Sequence, residues 1–216
     1  TEVPDTTGRN ENYARHHEVD IEKQLPRVGI HPEFLYQASR YRANRYAEGM
    51  KKAMQNRDVI KECLNEYRDE QHKMKPEDVY WPVAVFCDKC SRDTTEVTGY
   101  DGEWNVSYKC ECGNCETVDL RTFKGAKLGW RVDWPMRWNE EKVVFEPGGK
   151  DHISPGGSYD TAKLVSKKIY GWDAPITMRY DFVNLKGVPG KMSSSKGKVI
   201  ALPDALDVYQ AEVLRY

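Results

Sequence analysis

Clustered cysteines constrain this chain more than any other feature of its sequence. The chain has 216 residues and six cysteines, of which five lie between Cys87 and Cys115. These five form two knuckles about 20 residues apart, Cys87-Asp-Lys-Cys90 and Cys110-Glu-Cys112-Gly-Asn-Cys115. A disulfide framework would instead spread its cysteines through a small secreted chain. Two facing knuckles can surround one zinc ion with four thiolates, so we predict a zinc ribbon over residues 81–123.

Three of the predicted zinc ligands are the same whichever way the second knuckle is arranged: Cys87, Cys90 and Cys112. The two-residue gap between Cys112 and Cys115 is the usual one and favours Cys115 as the fourth ligand. Cys110 is the alternative, because Gly113 would then follow a ligand pair at a position where a knuckle often needs positive φ. Four thiolates leave zinc no open position, so the predicted Zn²⁺ is structural.

Composition excludes several other classes of protein. Lys and Arg number 33 against 34 Asp and Glu, which excludes a strongly basic nucleic-acid coat and an acidic disordered tail. No apolar run reaches the ~18 residues of a membrane helix, so we expect a soluble cytoplasmic protein without a membrane partner. The chain begins at Thr1 without a starting methionine or signal-type apolar stretch, which favours a fragment or a processed chain.

Hydrophobic periodicity predicts an α/β protein. The predicted helices are 18–27, 39–73 with a break at 56–58, 159–170 and 204–216, and the predicted strands are 30–38, 143–146 and 176–183. Cys63 lies on the apolar side of the second helix and is predicted to be core. Residues 94–109 hold β-forming residues around Asp101-Gly102, which predicts a hairpin. Alternating strands and helices after residue 143 indicate a parallel unit, whose ligands bind at the carboxyl ends of the strands.

A glycine- and serine-rich loop lies between the last predicted strand and the last helix. It reads Pro189-Gly-Lys-Met-Ser-Ser-Ser-Lys-Gly197 and carries two cations, three hydroxyl donors and flanking glycines. Such a loop can close around a polyphosphate whose charge is redistributed during a reaction. We therefore predict an anion-binding loop here; a flexible basic turn is the alternative.

Four segments together resemble the class I lysyl-tRNA synthetases. Lys191-Met-Ser-Ser-Ser195 is similar to the KMSKS signature of class I aminoacyl-tRNA synthetases. The other three are Trp130-Arg-Val-Asp-Trp-Pro-Met-Arg-Trp138, Phe145-Glu-Pro-Gly-Gly-Lys-Asp-His152 and Gly156-Gly-Ser-Tyr-Asp160. The resemblance covers nearly the whole chain and implies part of a Rossmann-type catalytic domain with an inserted zinc ribbon. Residues 1–78 would end the first Rossmann half and connect it, 79–125 would be the insertion, and 126–216 the second half.

The resemblance also implies site residues. Lys191 and Lys196 would stabilise the ATP phosphates during catalysis, with Lys196 as the second cation because Ser194 occupies the motif position where the family often has Lys. The adenylate would be bound by Gly149, Asp151, Met192, Ser193, Ser194 and Ser195, with the Asp151 carboxylate on the ribose. The lysine pocket would be lined by Trp130, His152 and Tyr180, whose aromatic rings suit an ammonium group on an apolar stem.

The chain departs from the family pattern in two places. It contains no His-x-Gly-His signature, which clamps ATP from the opposite side, and it ends where the family enters its anticodon-binding region. We therefore expect the isolated chain to activate lysine poorly or not at all. Near the amino terminus, Asp5 and His16 match positions where some members bind another metal, but Arg9 and Asn10 replace favourable ligands there.

These features lead to one main hypothesis and two alternatives. The main hypothesis is a lysine–tRNA ligase whose partners are ATP with Mg²⁺, L-lysine and tRNA(Lys), with no DNA partner. One alternative is a non-catalytic zinc-ribbon module that binds the tRNA acceptor end. The other is a glutamyl-type class I synthetase, which shares similar loops but requires a cation for its carboxylate substrate.

Overall fold

The computed structural model describes residues 3–187, Gly190, Met192 and residues 199–215. They belong to two compact units, one comprising Thr1–Leu35 with Phe182–Tyr216 and the other comprising Tyr36–Asp181. Among the described residues, none of the helices combines the length and apolar character needed to cross a membrane. Predicted segments 1–78, 79–125 and 126–216 stay predictions.

Along the described residues, α-helices come first, a run of strands follows, and the last part combines helices with short strands. The α-helices are α1 Tyr13–Gln24, α2 Gln37–Arg42, α3 Ala47–Gln55, α4 Arg57–Asn65, α5 Trp130–Glu141, α6 Lys150–Ile153, α7 Ser158–Val165, α8 Leu202–Leu206 and α9 Ala211–Arg215. Short 3₁₀ turns cover Leu25–Val28 and Glu70–His72, and a π-turn covers Ser166–Tyr170. The strands are β1 Val83–Val85, β2 Thr95–Tyr100, β3 Asn105–Cys110, β4 Cys115–Asp119, β5 Ala126–Leu128, β6 Gly148–Gly149 and β7 Arg179–Tyr180.

In the first unit, α1 begins earlier than the sequence pattern predicts. The Asn12 side chain caps the helix by accepting the backbone N–H of Arg15 at 2.8 Å. The predicted strand 30–38 is wrong, because residues 30–36 form no regular structure and α2 begins at Gln37. Residues 30–38 have no strand partner within the described residues, and the backbone N–H of Ile30 instead donates to the Leu25 carbonyl at 3.0 Å.

Helices α3 and α4 supply much of the core of the second unit. Asn56 lies between them, ends α3 and begins α4, so the predicted break at 56–58 is confirmed. The buried side chains recur at helical spacing: Met50, Ala53, Met54, Ile60, Cys63 and Leu64. Cys63 is 1% exposed, which confirms its predicted place in the core.

Strands β2, β3 and β4 form a three-stranded antiparallel sheet. The predicted hairpin is confirmed, and its turn contains Gly102 at φ +90°, a conformation that glycine adopts without strain. Val106 and Tyr108 point to the buried face, because side chains alternate along a strand. This sheet, with the loops and strand β1 around it, makes up residues 81–123, which we call the cysteine segment.

The β2–β3 turn of the cysteine segment contacts helix α3. Lys51 Nζ lies 4.4 Å from the centre of the Trp104 ring, and Arg121 lies 5.0 Å from the same ring. Gln55 Nε2 donates to the Gly102 carbonyl at 2.9 Å. Lys51 also pairs with Glu103 at 2.5 Å. These contacts hold the far end of the segment against the helical core.

A parallel strand–helix–strand unit follows α5. Phe145 forms a parallel bridge with Ile176, and β6 pairs in parallel with β7. Helices α6 and α7 and the π-turn lie between these strands in the sequence. The predicted parallel unit is confirmed, although its strands are shorter than 143–146 and 176–183. Carboxyl ends of both strands therefore emerge at one edge, where α/β sheets bind ligands.

Candidate functional site

Four cysteines of the cysteine segment come together in the second unit. The Sγ atoms of Cys87, Cys90, Cys110 and Cys112 all lie within 4.8 Å of one another. Cys87 and Cys112 are 3.7 Å apart, and so are Cys90 and Cys110. A compact group of four thiolates is the donor set of a tetrahedral metal site, so these residues could hold a metal ion.

The structure groups Cys110, the alternative fourth ligand, with the other three cysteines, and the favoured Cys115 does not belong to this group. Cys115 pairs with Lys109 across β3 and β4, and residues paired across strands share a face of the sheet. Cys110 follows Lys109 and therefore points to the opposite, buried face. Gly113, at φ +87°, allows the turn that returns the chain after Cys112.

Backbone donors favour the charged form of two of these thiols. Burial acts to raise the pKa of Cys87, but the N–H groups of Cys90 and Lys89 and the neighbouring thiols lower this pKa to about 6. The pKa of Cys110 is lowered mainly by the backbone N–H of Cys112. The pKa of Cys112 is raised to about 12: the N–H of Asn114 acts to lower it, and its neighbouring thiols outweigh that. A bound cation would stabilise the deprotonated form of these closely spaced thiols.

A second group of residues forms an aromatic wall, which we define as Trp130, Trp134, Trp138, His152 and Tyr159. Trp130 stacks on Trp134 with ring centres 4.9 Å apart and planes 15° apart. His152 meets both rings edge-on, at 5.8 Å from Trp130 and 6.2 Å from Trp134. Trp130 is 47% exposed, whereas Trp134 is 7% exposed. The wall therefore presents one accessible indole face that is backed by buried rings.

Glu146 anchors the aromatic wall, and sequence analysis missed this role. Trp134 Nε1 donates to one carboxylate oxygen of Glu146 at 3.0 Å, and Trp138 Nε1 donates to the other. The signal was present in the sequence: a lone carboxylate ends an apolar strand and follows a helix with two tryptophans four residues apart. Positions four apart share one face of a helix, so one acceptor can serve both indoles.

Gly149, Asp151 and Tyr180 meet where the two parallel strands end. A Cβ atom added to Gly149 would lie 2.9 Å from the Asp151 carboxylate and 3.7 Å from the Tyr180 ring. The absence of a side chain at Gly149 therefore leaves room for both groups. Asp151 and His152 are consecutive on α6, so the carboxylate and the aromatic wall belong to one region. The second unit contains five of the predicted site residues: Trp130, Gly149, Asp151, His152 and Tyr180.

The predicted anion-binding loop lies largely outside the described residues. The described residues do not include Lys191, Ser193, Ser194, Ser195 and Lys196. The roles of these five residues stay predictions. Met192 is described as half-buried and outside regular structure.

Asp5 and His16, the candidates for another metal, lie near each other in the first unit. His16 Nδ1 is 3.5 Å from Asp5 Oδ1. The Asp5 carboxylate also accepts hydrogen bonds from the backbone N–H and hydroxyl of Thr7 and from Asn10. Asp5 therefore organises a loop through hydrogen bonds of its own.

Comparisons with known proteins identify the family of this chain. The family described as "tRNA synthetases class I (K)" matches residues 1–216. A lysine–tRNA ligase of Treponema pallidum (strain Nichols) is 58% identical over 216 residues, which is 100% of this chain and 40% of the relative. Lysine–tRNA ligases of Borreliella burgdorferi and Thermococcus kodakarensis are 51% and 44% identical, with 100% of this chain matched in each case and 40% and 41% of the relative.

The chain thus spans about two fifths of the length of these curated relatives. The match extends through the cysteine segment, the aromatic wall and the parallel strand–helix–strand unit, because it covers every residue of the chain. The chain belongs to the family of class I (K) tRNA synthetases.

Proposed function

We propose that a full-length protein carrying this chain is a lysine–tRNA ligase. It would activate L-lysine with ATP to lysyl-adenylate and then transfer the lysyl group to tRNA(Lys). The observation that carries this proposal is the meeting of the aromatic wall with Gly149, Asp151 and Tyr180 at the ends of two parallel strands. Since the chain covers 40% of its relatives, the rest of the protein would be needed for the complete reaction.

The aromatic residues favour lysine as the amino acid. A lysine side chain is an apolar stem that ends in a hydrated ammonium group. The half-exposed rings of Trp130 and Tyr180 can pack against the stem and attract the cation, and His152 lies against Trp130. A glutamate substrate would need a cation instead, so the glutamyl-type alternative is less favourable.

The nucleotide would lie at the ends of the strands. Gly149 allows close approach of the main chain, and the Asp151 carboxylate is exposed and can accept two ribose hydroxyls. Lys191 and Lys196, with Met192, Ser193, Ser194 and Ser195, would bind the phosphates of ATP, and Mg²⁺ would arrive bound to the nucleotide. These two cations would stabilise charge as the lysine carboxylate attacks the α-phosphate and pyrophosphate leaves. Such in-line attack needs positioning and no protein nucleophile.

The cysteine segment would be a zinc ribbon. Cys87, Cys90, Cys110 and Cys112 would bind one Zn²⁺ as four thiolates, which is a structural and non-catalytic arrangement. The ion would join the two knuckles and so fix the base of the cysteine segment. The macromolecular partner would be tRNA in the cytoplasm, with no DNA or membrane partner.

ATP–pyrophosphate exchange tests the proposal in a full-length synthetase that carries this chain. We expect exchange with lysine and none with glutamate. Exchange with glutamate alone would contradict the specificity, and tight binding of tRNA acceptor stems without any adenylate formation would favour the non-catalytic module.

Lys191→Ala tests the role of the loop in the same assay. Activation should fall far more than lysine binding, because the cation acts on charge that develops in the transition state. Equal losses in activation and in lysine binding would contradict this role.

A further inference from the structure

We infer that Glu146 sets the preference of the amino-acid pocket for a cation, acting through the tryptophans that it orients. This inference rests on the proposed lysine ligase function. Glu146 does not belong to the face of the wall that would meet the substrate, so it is a positioning and specificity-determining residue.

Hydrogen bonds hold both the side chain and the backbone of Glu146. Its two carboxylate oxygens accept the indole N–H groups of Trp134 and Trp138, which lie one helical turn apart on α5. Its backbone N–H donates to Ile176 at 3.0 Å, and its carbonyl accepts the Thr177 hydroxyl at 2.8 Å. The carboxylate is therefore held by the parallel strand pair and in turn holds two buried rings.

The orientation of the accessible indole depends on this anchor. Trp130 is half exposed and has Trp134 stacked against one face, 4.9 Å away. Trp134 is held by Glu146 through its N–H. His152 packs edge-on against both rings, so its position follows theirs. A change at Glu146 would therefore be transmitted through the stack to the surface that we propose for the lysine side chain.

The negative charge of Glu146 would favour binding of a cation at the aromatic wall. Within the described part of the chain, no basic side chain forms an ion pair with its carboxylate. A carboxylate that accepts an indole N–H places negative charge at the edge of that ring and so makes the π face of the stacked rings more attractive to a cation. The same charge disfavours a carboxylate side chain in the pocket. The wall would thus select an ammonium group by electrostatics as well as by shape.

The test uses ATP–pyrophosphate exchange by a full-length synthetase carrying Glu146→Gln, Glu146→Asp or Glu146→Ala. For Glu146→Gln we expect the KM for lysine to rise about 10-fold, the scale of one cation–π contact or one charged hydrogen bond, while kcat and the KM for ATP change less than about twofold. Glu146→Asp retains the charge and should restore part of the loss. Glu140→Gln, on the helix α5 that carries the tryptophans but outside the aromatic wall, is the control and should leave all three constants unchanged.

Two further measurements separate charge from folding. Inhibition by L-norleucine, which has the apolar stem without the ammonium group, should weaken much less in Glu146→Gln than the KM for lysine rises. In the protein labelled with ¹⁵N-tryptophan, two indole N–H signals should move in Glu146→Ala and stay in place in Glu140→Gln. A loss of folded protein would lower kcat at constant KM and would leave the signals of the folded fraction unmoved.

Three outcomes decide the inference. An unchanged KM for lysine in Glu146→Gln and Glu146→Ala would overturn it. Equal weakening of lysine and norleucine would overturn it as well, since charge would then play no part. If the unsubstituted enzyme exchanges no lysine, the proposed function fails, and movement of the two indole signals in Glu146→Ala would still report the anchor independently.

Discussion

Cys115 lies directly opposite Lys109 in the register of β3 and β4, and this places its thiol on the face of the sheet away from the four gathered cysteines. The two-residue gap between Cys112 and Cys115 is the usual spacing of a zinc knuckle, yet the strand begins at Cys115 and fixes the direction of its side chain. Strand register therefore determines which cysteines can share an ion.

Exchanging each candidate for serine tests the ligand set. Cys110→Ser should abolish tight metal binding, because three thiolates remain, whereas Cys115→Ser should retain about one zinc ion per chain. Metal analysis of the purified proteins, and the absorption spectrum after replacement of zinc by cobalt, measure this difference. Retention of zinc in Cys110→Ser together with its loss in Cys115→Ser would return the ligand set to the one that spacing favours.

Removal of the metal should destabilise the cysteine segment. Chelation would leave four crowded thiols without the ion that joins their two knuckles, so the segment should become more susceptible to proteolysis. Limited proteolysis with and without chelator measures this, and restored resistance after addition of zinc is the control. Equal cleavage under both conditions would argue against a structural ion.

Gly149→Ala should weaken adenylate binding by about 10-fold while changing the melting temperature by less than about 2 °C. The backbone of Gly149 (φ −64°, ψ 151°) suits alanine, but the added methyl group would lie 2.9 Å from the Asp151 carboxylate and displace it. Inhibition of exchange by a non-hydrolysable lysyl-adenylate analogue measures the effect. Gly129→Ala is the matched control, because Gly129 has a similar backbone (φ −61°, ψ 143°) and its nearest neighbour to the new atom is 3.7 Å away.

Lys51→Met should lower the free energy of unfolding by about 1–2 kcal/mol, since it removes a cation–π contact and an ion pair. The ammonium group lies over Trp104 and pairs with Glu103, and Lys51 is largely buried by these partners. Urea unfolding followed by tryptophan fluorescence measures the loss. Lys52→Met, at the exposed next position of the same helix, should change stability little. Equal losses at both positions would show that the contacts with Trp104 and Glu103 add nothing specific.

Asp5→Asn should destabilise the amino-terminal loop at neutral pH. The backbone N–H of Thr7, with smaller contributions from its hydroxyl and from Asn10, holds the pKa of Asp5 well below the usual 3.8. Because the folded pKa is the lower one, the stabilisation is present above pH 4 and is lost as the pH falls through the folded value. The difference in melting temperature between the two proteins should be constant from pH 5 to 8 and shrink in strong acid. Asp20→Asn, at an exposed position of α1, is the control, and a difference that grows in acid would contradict the assignment.

Sequence reasoning identified the elements whose signals are local. The split between α3 and α4 at Asn56 and the hairpin at Gly102 depend on nearby residues, so both could be predicted. The strand predicted at 30–38 is wrong, because β-forming residues make a strand only when a partner supplies hydrogen bonds.

The candidate site also combines residues that one short segment identifies with residues whose role depends on partners distant in the sequence. Asp151 and His152 are predicted from one short segment, and their roles stay predictions. Glu146 was missed although its carboxylate and the two tryptophans are visible in the sequence, because only the fold shows that α5 presents both indoles to it. Likewise, spacing alone favoured Cys115, whereas the pairing of β3 with β4 selects Cys110.

The contacts around Trp104 have a mechanical consequence. The cysteine segment contacts the helical core at its turn, through Lys51 and Gln55, at the end of the β2–β3 hairpin opposite Cys110. Without a bound metal ion, the cysteine segment would therefore loosen first at the two cysteine knuckles. Its turn would stay in contact with α3. A load applied to the turn of the cysteine segment would therefore be borne by α3 before it reaches the four gathered cysteines.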